Sequence, residues 1–95
     1  MSFNRYARKV DSTQADIIDA LRKAGVRVDI IGRPVDLLTF YRGRWLPVEC
    51  EGTAKKRTRK DQERQKAFIE QTGCPVVKTA EEALNAIWNA CKFSH

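Results

Sequence analysis

The stretch GRPVDLLTFYRGRWLPVECEG, residues 32–52, decides the fold of this chain. It contains two apolar runs, residues 35–41 and 45–49, with the length and the β-branched or aromatic content of strands. An Arg-Gly-Arg tripeptide joins them. A two-residue turn over Arg42 and Gly43 requires positive φ, which suits glycine at its second position. The sequence therefore predicts a β-hairpin.

The same hairpin aligns acidic residues. In the register set by this turn, Asp36 faces Glu49 across the two strands, with their Cβ atoms about 4.5–5.5 Å apart. Side chains alternate along a strand, so Glu51 falls on the face that carries Glu49. The spacing therefore predicts that three carboxylates converge.

Two interpretations of these carboxylates follow. Like charges within apolar strands are costly unless a cation neutralises them. Mg²⁺ and Mn²⁺ bind oxygen ligands and leave positions open for water and phosphate oxygens, so the hairpin would form a metal site for phosphodiester chemistry. Alternatively, Glu49 and Glu51 are exposed to solvent at the end of an edge strand, and Asp36 is only the first residue of a strand after the preceding turn.

The composition limits the classes of protein to consider. The 95 residues suit a single domain, 1–95, and 18 Lys and Arg against 12 Asp and Glu give a formal charge of +6. This charge favours an anionic partner, of which nucleic acid fits best. Three cysteines without CxxC spacing argue against a disulfide framework or a zinc site. No apolar run is long enough for a membrane span, so we expect a cytoplasmic protein without a membrane partner.

The segments before the hairpin are predicted from their apolar periodicity. Residues 1–10 lack that periodicity and form a basic N-terminal arm. Ser12 favours the start of a helix that ends at Lys23, and residues 26–31 follow as a short strand. The buried stripe of the helix is expected to comprise Ala15, Ile17, Ile18, Leu21 and Ala24.

Two helices and a strand complete the chain. The pattern predicts a helix over residues 59–72, a short buried strand over 74–78 and a last helix that begins with a capping box and ends near Cys91. Trp88 lies in the apolar stripe of this last helix, and we assign it to the core or a dimer surface rather than to a base-stacking platform. The order α-β-β-β-α-β-α, with the fourth strand parallel to its neighbour, predicts an α/β sandwich with a mixed four-stranded sheet.

Positive charge is concentrated next to the hairpin. Residues 53–60 read TAKKRTRK, with five Lys or Arg in eight positions. Such a run is often a solvated loop, but beside the predicted site it is suited to holding phosphate groups. Together with the arginines of the hairpin turn, the predicted nucleic-acid-binding residues are Arg42, Arg44, Lys55, Lys56, Arg57, Arg59 and Lys60.

Several short motifs occur in a characteristic order. PVD at residues 34–36 precedes ECE at 49–51, and Asp16 supplies an acidic position in the first helix. A hairpin Arg-Gly-Arg, a Gln-x-x-Phe helix that contains Gln65 and the ending GCPVVKTAEEAL complete the set. Over about residues 7–87, this order resembles the PD-(D/E)XK nuclease superfamily, in particular the small VRR-NUC-like endonucleases of phages and prophages.

The resemblance implies a restriction-endonuclease-like fold. It also implies that the protein acts in the cytoplasm of a bacterial or phage-infected host cell. It implies that Asp36 and Glu49 bind Mg²⁺ or Mn²⁺, with the carbonyl of Cys50 as a further ligand. Asp16 would be an accessory ligand of the metal or of water, and Gln65 would orient the attacking water or a phosphate. A homodimer would place two such sites on two DNA strands.

The chain departs from the family at Glu51, where the family carries its catalytic lysine. A lysine there would position the water nucleophile and neutralise charge in the transition state, which a glutamate cannot do. Glu51 could instead accept the proton of the water or ligate a second metal ion. Alternatively, Lys55, Lys56 or Lys66 could reach in from elsewhere, or the chain could be catalytically inactive and only bind.

The sequence thus predicts a Mg²⁺- or Mn²⁺-dependent DNA endonuclease that acts on branched or flapped DNA. The alternative is a catalytically inactive nuclease-fold protein that binds nucleic acid, and a third reading is a domain whose basic surface meets an acidic protein. No base-reading motif such as a helix-turn-helix is visible, so recognition is expected to depend on DNA structure. The predicted catalytic residues are Asp36, Glu49, Glu51, Gln65 and Lys66.

Overall fold

A computed structural model describes residues 12–51 and 58–92, and the statements below concern those two ranges. The predicted basic arm, residues 1–10, lies outside them. The described residues form three helices and four strands in the predicted order, and the fold is α/β. The elements are α1 (Ser12–Lys23), β1 (Arg27–Ile30), β2 (Leu37–Tyr41), β3 (Arg44–Cys50), α2 (Arg59–Thr72), β4 (Val76–Val77) and α3 (Ala80–Lys92).

The four strands form one mixed sheet in the order β1-β2-β3-β4. The first three strands run antiparallel to their neighbours, and β4 pairs parallel to β3. The predicted mixed four-stranded sheet is therefore confirmed. β4 is only two residues long, shorter than the predicted strand over residues 74–78.

The hairpin turn has the geometry that its sequence predicts. Arg42 and Gly43 have φ values of 52° and 79°, the two successive positive values of a type I′ turn. The turn pairs Tyr41 with Arg44, and at the other end of the hairpin Leu37 pairs with Val48. One residue beyond that last pair, the same register sets residue 36 beside residue 49.

One face of the sheet, hereafter the core face, packs against α1 and α3. The predicted stripe of α1 is correct at Ile17, Ile18 and Leu21, but Ala15 is exposed and Gln14 is buried in its place. Position 14 precedes the stripe at helical spacing, so the geometry of the helix rather than side-chain polarity decides its burial. The buried core cluster comprises Ile17, Ile18, Leu21, Val26, Val28, Leu37, Val48, Cys50, Val77, Ala83 and Ile87.

The opposite face, hereafter the second face, is built differently. Because side chains alternate along a strand, the residues between the core positions of β2 and β3 point to it. Trp45 there is 54% exposed, and its ring contacts that of Phe40 at a centroid distance of 4.7 Å. Glu49 lies on the same face, between the core residues Val48 and Cys50, and it is buried. The second face thus carries an exposed aromatic pair near the turn and a buried carboxylate at its far end.

Helix α2 is held mainly by its ends. The Thr58 hydroxyl accepts a hydrogen bond from the backbone N–H of Asp61 at 3.0 Å, and Gly73 ends the helix in the left-handed conformation. Asp61 also forms an ion pair of 3.3 Å with Arg33, which precedes β2. None of the described side chains of α2 is buried, and Phe68, the aromatic residue of the Gln-x-x-Phe motif, is half-buried.

Within the described ranges, no helix combines the length and the apolar character that crossing a membrane requires.

Candidate metal centre

Asp36 and Glu49 lie side by side because the hairpin register places them there. Asp36 directly precedes β2, and Glu49 is the penultimate residue of β3. The backbone N–H of Asp36 donates to Oε1 of Glu49 at 3.2 Å. The backbone N–H of Cys50 donates to Oδ2 of Asp36 at 2.9 Å. Each carboxylate is therefore oriented by the backbone of the opposite segment.

Both carboxylates are withdrawn from solvent. Asp36 is 3% exposed and Glu49 is 8% exposed. Carboxylates are rarely buried without compensating interactions, because burial removes their hydration. Backbone N–H donors supply part of that compensation, since hydrogen bonds to a charged acceptor are stronger than those between neutral groups. Burial of this pair is therefore costly, which indicates that the pair has a functional role.

The donor set of this pair fits a hard divalent cation. Mg²⁺ uses oxygen ligands and is commonly bound through one or two carboxylates, with water and substrate phosphates completing its coordination. Asp36, just before β2, and Glu49, in the adjacent β3, supply two carboxylates, and Cys50, the residue after Glu49, supplies a backbone carbonyl. These residues fit Mg²⁺ or Mn²⁺, whereas a softer metal would require sulfur or imidazole ligands.

The predicted convergence of three carboxylates is not found. Glu51 follows the last residue of β3; its backbone N–H donates to the carbonyl of Val77 at 2.8 Å, and its side chain is exposed. Asp16, the predicted accessory ligand, is exposed on α1. Among residues 12–51 and 58–92, no group of three His, Cys, Asp or Glu side chains is arranged to hold a metal ion. The structure therefore brings together two of the predicted carboxylates, Asp36 and Glu49.

Gln65 on α2 carries a polar atom with an unusual environment. Its Nε2 atom is buried and has no hydrogen-bond partner among the described residues. A buried donor without a partner costs free energy, and in a native structure it often marks a place where a ligand or water binds. The neighbouring Lys66 is exposed, about 100° further around the helix.

Cys74 is a neighbour of the carboxylate pair that the sequence did not single out as part of the site. It lies between α2 and β4 and is buried. Its thiol donates to the carbonyl of Pro47 at 3.1 Å. The pKa of this thiol is raised to about 11, chiefly by burial; a hydrogen bond with the Glu49 backbone lowers it in part, and the negative charge of Glu49 adds to the rise. In the absence of a bound cation the thiol is therefore protonated at neutral pH, which argues against a thiolate nucleophile at this position.

The predicted phosphate-binding residues fall in separate places. Arg42 and Arg44 lie at the turn end of the hairpin, whereas Asp36 lies at the other end of β2. Five residues of β2 at about 3.3 Å each separate these ends by about 17 Å. Arg59 and Lys60 are exposed at the start of α2, and Lys55, Lys56 and Arg57 lie outside the described residues.

A cavity between α2 and the segment that precedes β2 was also missed by the sequence analysis. It has a volume of about 240 Å³ and is lined by Arg33, Pro34, Asp61 and Arg64. Pro34 is two residues before Asp36, so the cavity opens beside the segment that carries the first carboxylate. The sequence holds no short-range signal for it, because Arg33 and Arg64 come together only through the packing of α2.

Comparisons of this chain with protein-family models, curated proteins and solved structures gave no match.

Proposed function

We propose that this chain is a Mg²⁺- or Mn²⁺-dependent DNA endonuclease with a nuclease fold of the PD-(D/E)XK type. The observation that supports this function best is the buried pair of Asp36 and Glu49, joined by hydrogen bonds across two strands of a mixed sheet. A cytoplasmic location and a homodimer belong to the same proposal. DNA is the proposed substrate because of the formal charge of +6.

Asp36 and Glu49 would hold the metal ion, with the carbonyl of Cys50 as a further ligand. The bound ion would supply stabilisation of the negative charge that develops on the scissile phosphate. The hydrogen bonds from the backbone of Asp36 and Cys50 fix both carboxylates in advance, so little reorganisation is needed when a cation binds.

Gln65 and Glu51 would act on the water and the phosphate. The buried Nε2 of Gln65 has a donor to offer to a phosphate oxygen or to the oxygen of the attacking water. To accept the proton of that water, Glu51 would have to turn from its exposed position toward the carboxylate pair. Lys66 is the alternative cation, and its exposed position on α2 requires its long side chain to reach around the helix.

Basic side chains near the pair would position the DNA backbone. Arg33 and Arg64 line the cavity beside Asp36, and Arg59 and Lys60 lie at the start of the same helix. Arginine binds phosphate in a bidentate manner, but such contacts carry no base sequence information. The proposed recognition therefore depends on DNA structure, with branched or flapped DNA as the substrate class.

The test is cleavage of labelled linear, flapped and four-way-junction DNA with Mg²⁺ or Mn²⁺. We expect Asp36→Asn and Glu49→Gln each to lower the cleavage rate by about 100-fold or more, because each removes a charged ligand while it preserves side-chain shape. Glu81→Gln is the matched control, since it removes the same charge from an exposed position on α3. Equal losses in all three variants would contradict the assignment of the site.

The second candidate function is nucleic-acid binding without catalysis, and the observation that favours it is the exposed Glu51 in place of a lysine. It would be supported if no substrate were cut while salt-sensitive DNA binding persisted in chelator. Glu51→Lys sharpens this test. Cleavage by that variant alone would identify a nuclease fold held inactive by one residue, and absence of both binding and cleavage would favour an acidic protein partner.

A further inference from the structure

A second cavity lies far from the carboxylate pair, where the hairpin turn approaches the C-terminal end of α3. Its volume is about 550 Å³, within the range of small-molecule sites. It is lined by Tyr41, Arg42, Arg44, Trp88, Cys91 and Lys92.

Two aromatic rings form part of its wall and are held in a defined arrangement. The rings of Tyr41 and Trp88 have centroids 5.3 Å apart and an interplanar angle of 55°. The Arg42 guanidinium lies 5.3 Å from the centroid of the Tyr41 ring, within the range of a cation–π contact. Trp88 is 42% exposed, so it is not a core residue, whereas its other predicted place, a dimer surface, stays a prediction. An indole face therefore remains accessible to a ligand.

The charge of the cavity has one sign. Arg42, Arg44 and Lys92 contribute three cationic side chains, and within the described residues no acidic side chain lines the space. A concave surface with charges of one sign raises the local concentration of ions of the opposite sign. The cavity is therefore suited to an anion, and its aromatic wall is suited to a ligand with a flat apolar part.

The position of the cavity separates it from the candidate metal centre. Tyr41 follows Leu37 and Thr39 at alternate positions of β2, so its side chain is on the core face. Glu49 is on the second face, and Asp36 lies at the opposite end of β2. A ligand in the cavity thus binds about 17 Å along the strand from the carboxylates and on the other side of the sheet.

We propose that this cavity binds an unpaired nucleotide of single-stranded DNA, with the base stacked on Trp88 and the phosphates held by Arg42, Arg44 and Lys92. Stacking on an aromatic side chain beside a cationic groove is the usual chemistry of single-strand binding. A duplex is disfavoured, since its base faces are stacked inside the helix. A second copy of the chain is also disfavoured as the occupant of this cavity, because a twofold interface at this place would bring two sets of these cations together.

The inference rests on the proposed function for its biological role, in which the cavity would hold the unpaired strand of a flapped substrate. The binding itself does not require the metal centre. It is therefore tested in chelator, where the nuclease cannot act, so that failure of one proposal leaves the other intact.

The experiment uses the fluorescence of Trp88. The chain has two tryptophans, so Trp45→Phe makes Trp88 the single reporter. In chelator, the full chain with this change is titrated with a short oligothymidylate, an abasic oligonucleotide of equal length, free thymidine monophosphate and inorganic phosphate. We expect the oligothymidylate to quench Trp88 and the abasic oligonucleotide to quench it weakly. Quenching by the mononucleotide at equal concentration would assign the cavity to a free nucleotide and overturn the single-strand proposal.

Variants then measure the contribution of each side chain. We expect Trp88→Leu to weaken binding of labelled oligothymidylate by about tenfold or more and to leave duplex binding unchanged. Arg42→Gln, at an exposed turn position, should weaken single-strand binding and reduce its salt dependence. Trp45→Leu is the matched control, because Trp45 is more exposed than Trp88 and lies on the second face.

Three results would overturn the proposal. The first is that the abasic oligonucleotide binds as tightly as the oligothymidylate. The second is that Trp88→Leu and Trp45→Leu weaken oligothymidylate binding equally. The third is that inorganic phosphate displaces the oligothymidylate completely. Cleavage of four-way-junction DNA by Trp88→Leu, measured separately with Mn²⁺, reports on the metal centre alone, because this substrate has no unpaired strand.

Discussion

The two faces of the sheet differ in what they bury. The core face contacts α1 and α3 and buries apolar side chains from both helices and from the strands, such as Leu21, Val48 and Ile87. The second face buries the carboxylate of Glu49 and leaves Trp45 more than half exposed. Helix α2, which follows the hairpin in the chain, buries none of its described side chains. The division indicates that one face stabilises the chain and the other carries its proposed chemistry.

This division has an energetic reason. Burial of apolar surface contributes about 25 cal/mol per Å², whereas burial of a carboxylate opposes folding unless it is compensated. A protein of 95 residues has a small margin of stability, so it cannot carry many costly groups. Concentrating the apolar contacts on the core face leaves room for the Asp36 and Glu49 pair on the other side.

The largest expected effect tests the core face. Leu21 is fully buried on α1, so Leu21→Ala should lower the free energy of unfolding by about 2–5 kcal/mol. Trp45→Ala on the second face should lower it by about 1 kcal/mol or less, because its ring is largely exposed and contacts mainly Phe40. Urea denaturation measures both values. Equal losses would contradict the division between the faces.

The next largest effect is the stabilisation of the second face by a bound metal ion. With Mn²⁺ at about one hundred times its dissociation constant, the free energy of unfolding should rise by about 2.7 kcal/mol. Asp36→Asn should abolish this gain, whereas Glu81→Gln on α3 should retain it. Thermal unfolding with and without chelator gives the comparison. A gain that persists in Asp36→Asn would place the bound ion elsewhere.

Cys74, which lies near Glu49 of the second face, is expected to make the stability of the chain depend on alkaline pH. Its pKa is raised in the folded chain from 9.0 to about 11, so its stabilising contribution is complete below pH 9 and is lost as the pH rises through 11. The loss should be on the order of 2 kcal/mol. Cys74→Ser, which keeps a donor for the Pro47 carbonyl, should flatten the curve of stability against pH between these values. Cys91→Ser is the control, and an equal flattening in it would assign the effect to another group.

The smallest effect concerns α2 alone. Thr58→Ala removes the hydroxyl that caps this helix, at a cost of about 1 kcal/mol. Because none of the described side chains of α2 is buried, the loss should be local and should accelerate hydrogen exchange of the α2 amides. The amides of β2 and β3 should keep their protection. A uniform acceleration across the sheet would show that α2 is part of the cooperative core.

Local sequence signals sufficed for most of the fold. The Arg42-Gly43 turn determines the register of the hairpin, because positive φ at two successive residues allows only one type of tight turn. The helix over residues 59–72 was predicted from its periodicity and from the glycine that follows it. The adjacency of Asp36 and Glu49 follows from that register, so the centre of the candidate site was also within reach of the sequence.

Signals that depend on packing were missed. Glu51 was expected beside the pair from strand alternation, but its side chain is exposed and does not form a group of three with Asp36 and Glu49. The burial of Gln14 was not predicted, because polar residues are usually exposed and the buried stripe was assigned from apolar residues alone. The cationic residues were treated as one surface, although a charge count gives no positions, and the sheet separates Arg42 from Asp36. The cavity beside Arg33 depends on where α2 packs.

The edges of the sheet have a consequence for self-association. Among the described residues, one edge is β4, with two residues, and the other is β1, where Arg27 and Asp29 form an exposed ion pair of 3.0 Å. Long, apolar edge strands are templates for intermolecular pairing and aggregation, and short or charged edges suppress it. These edges offer little backbone for another chain to extend. Extension of the sheet by a second chain is therefore disfavoured at both of these edges.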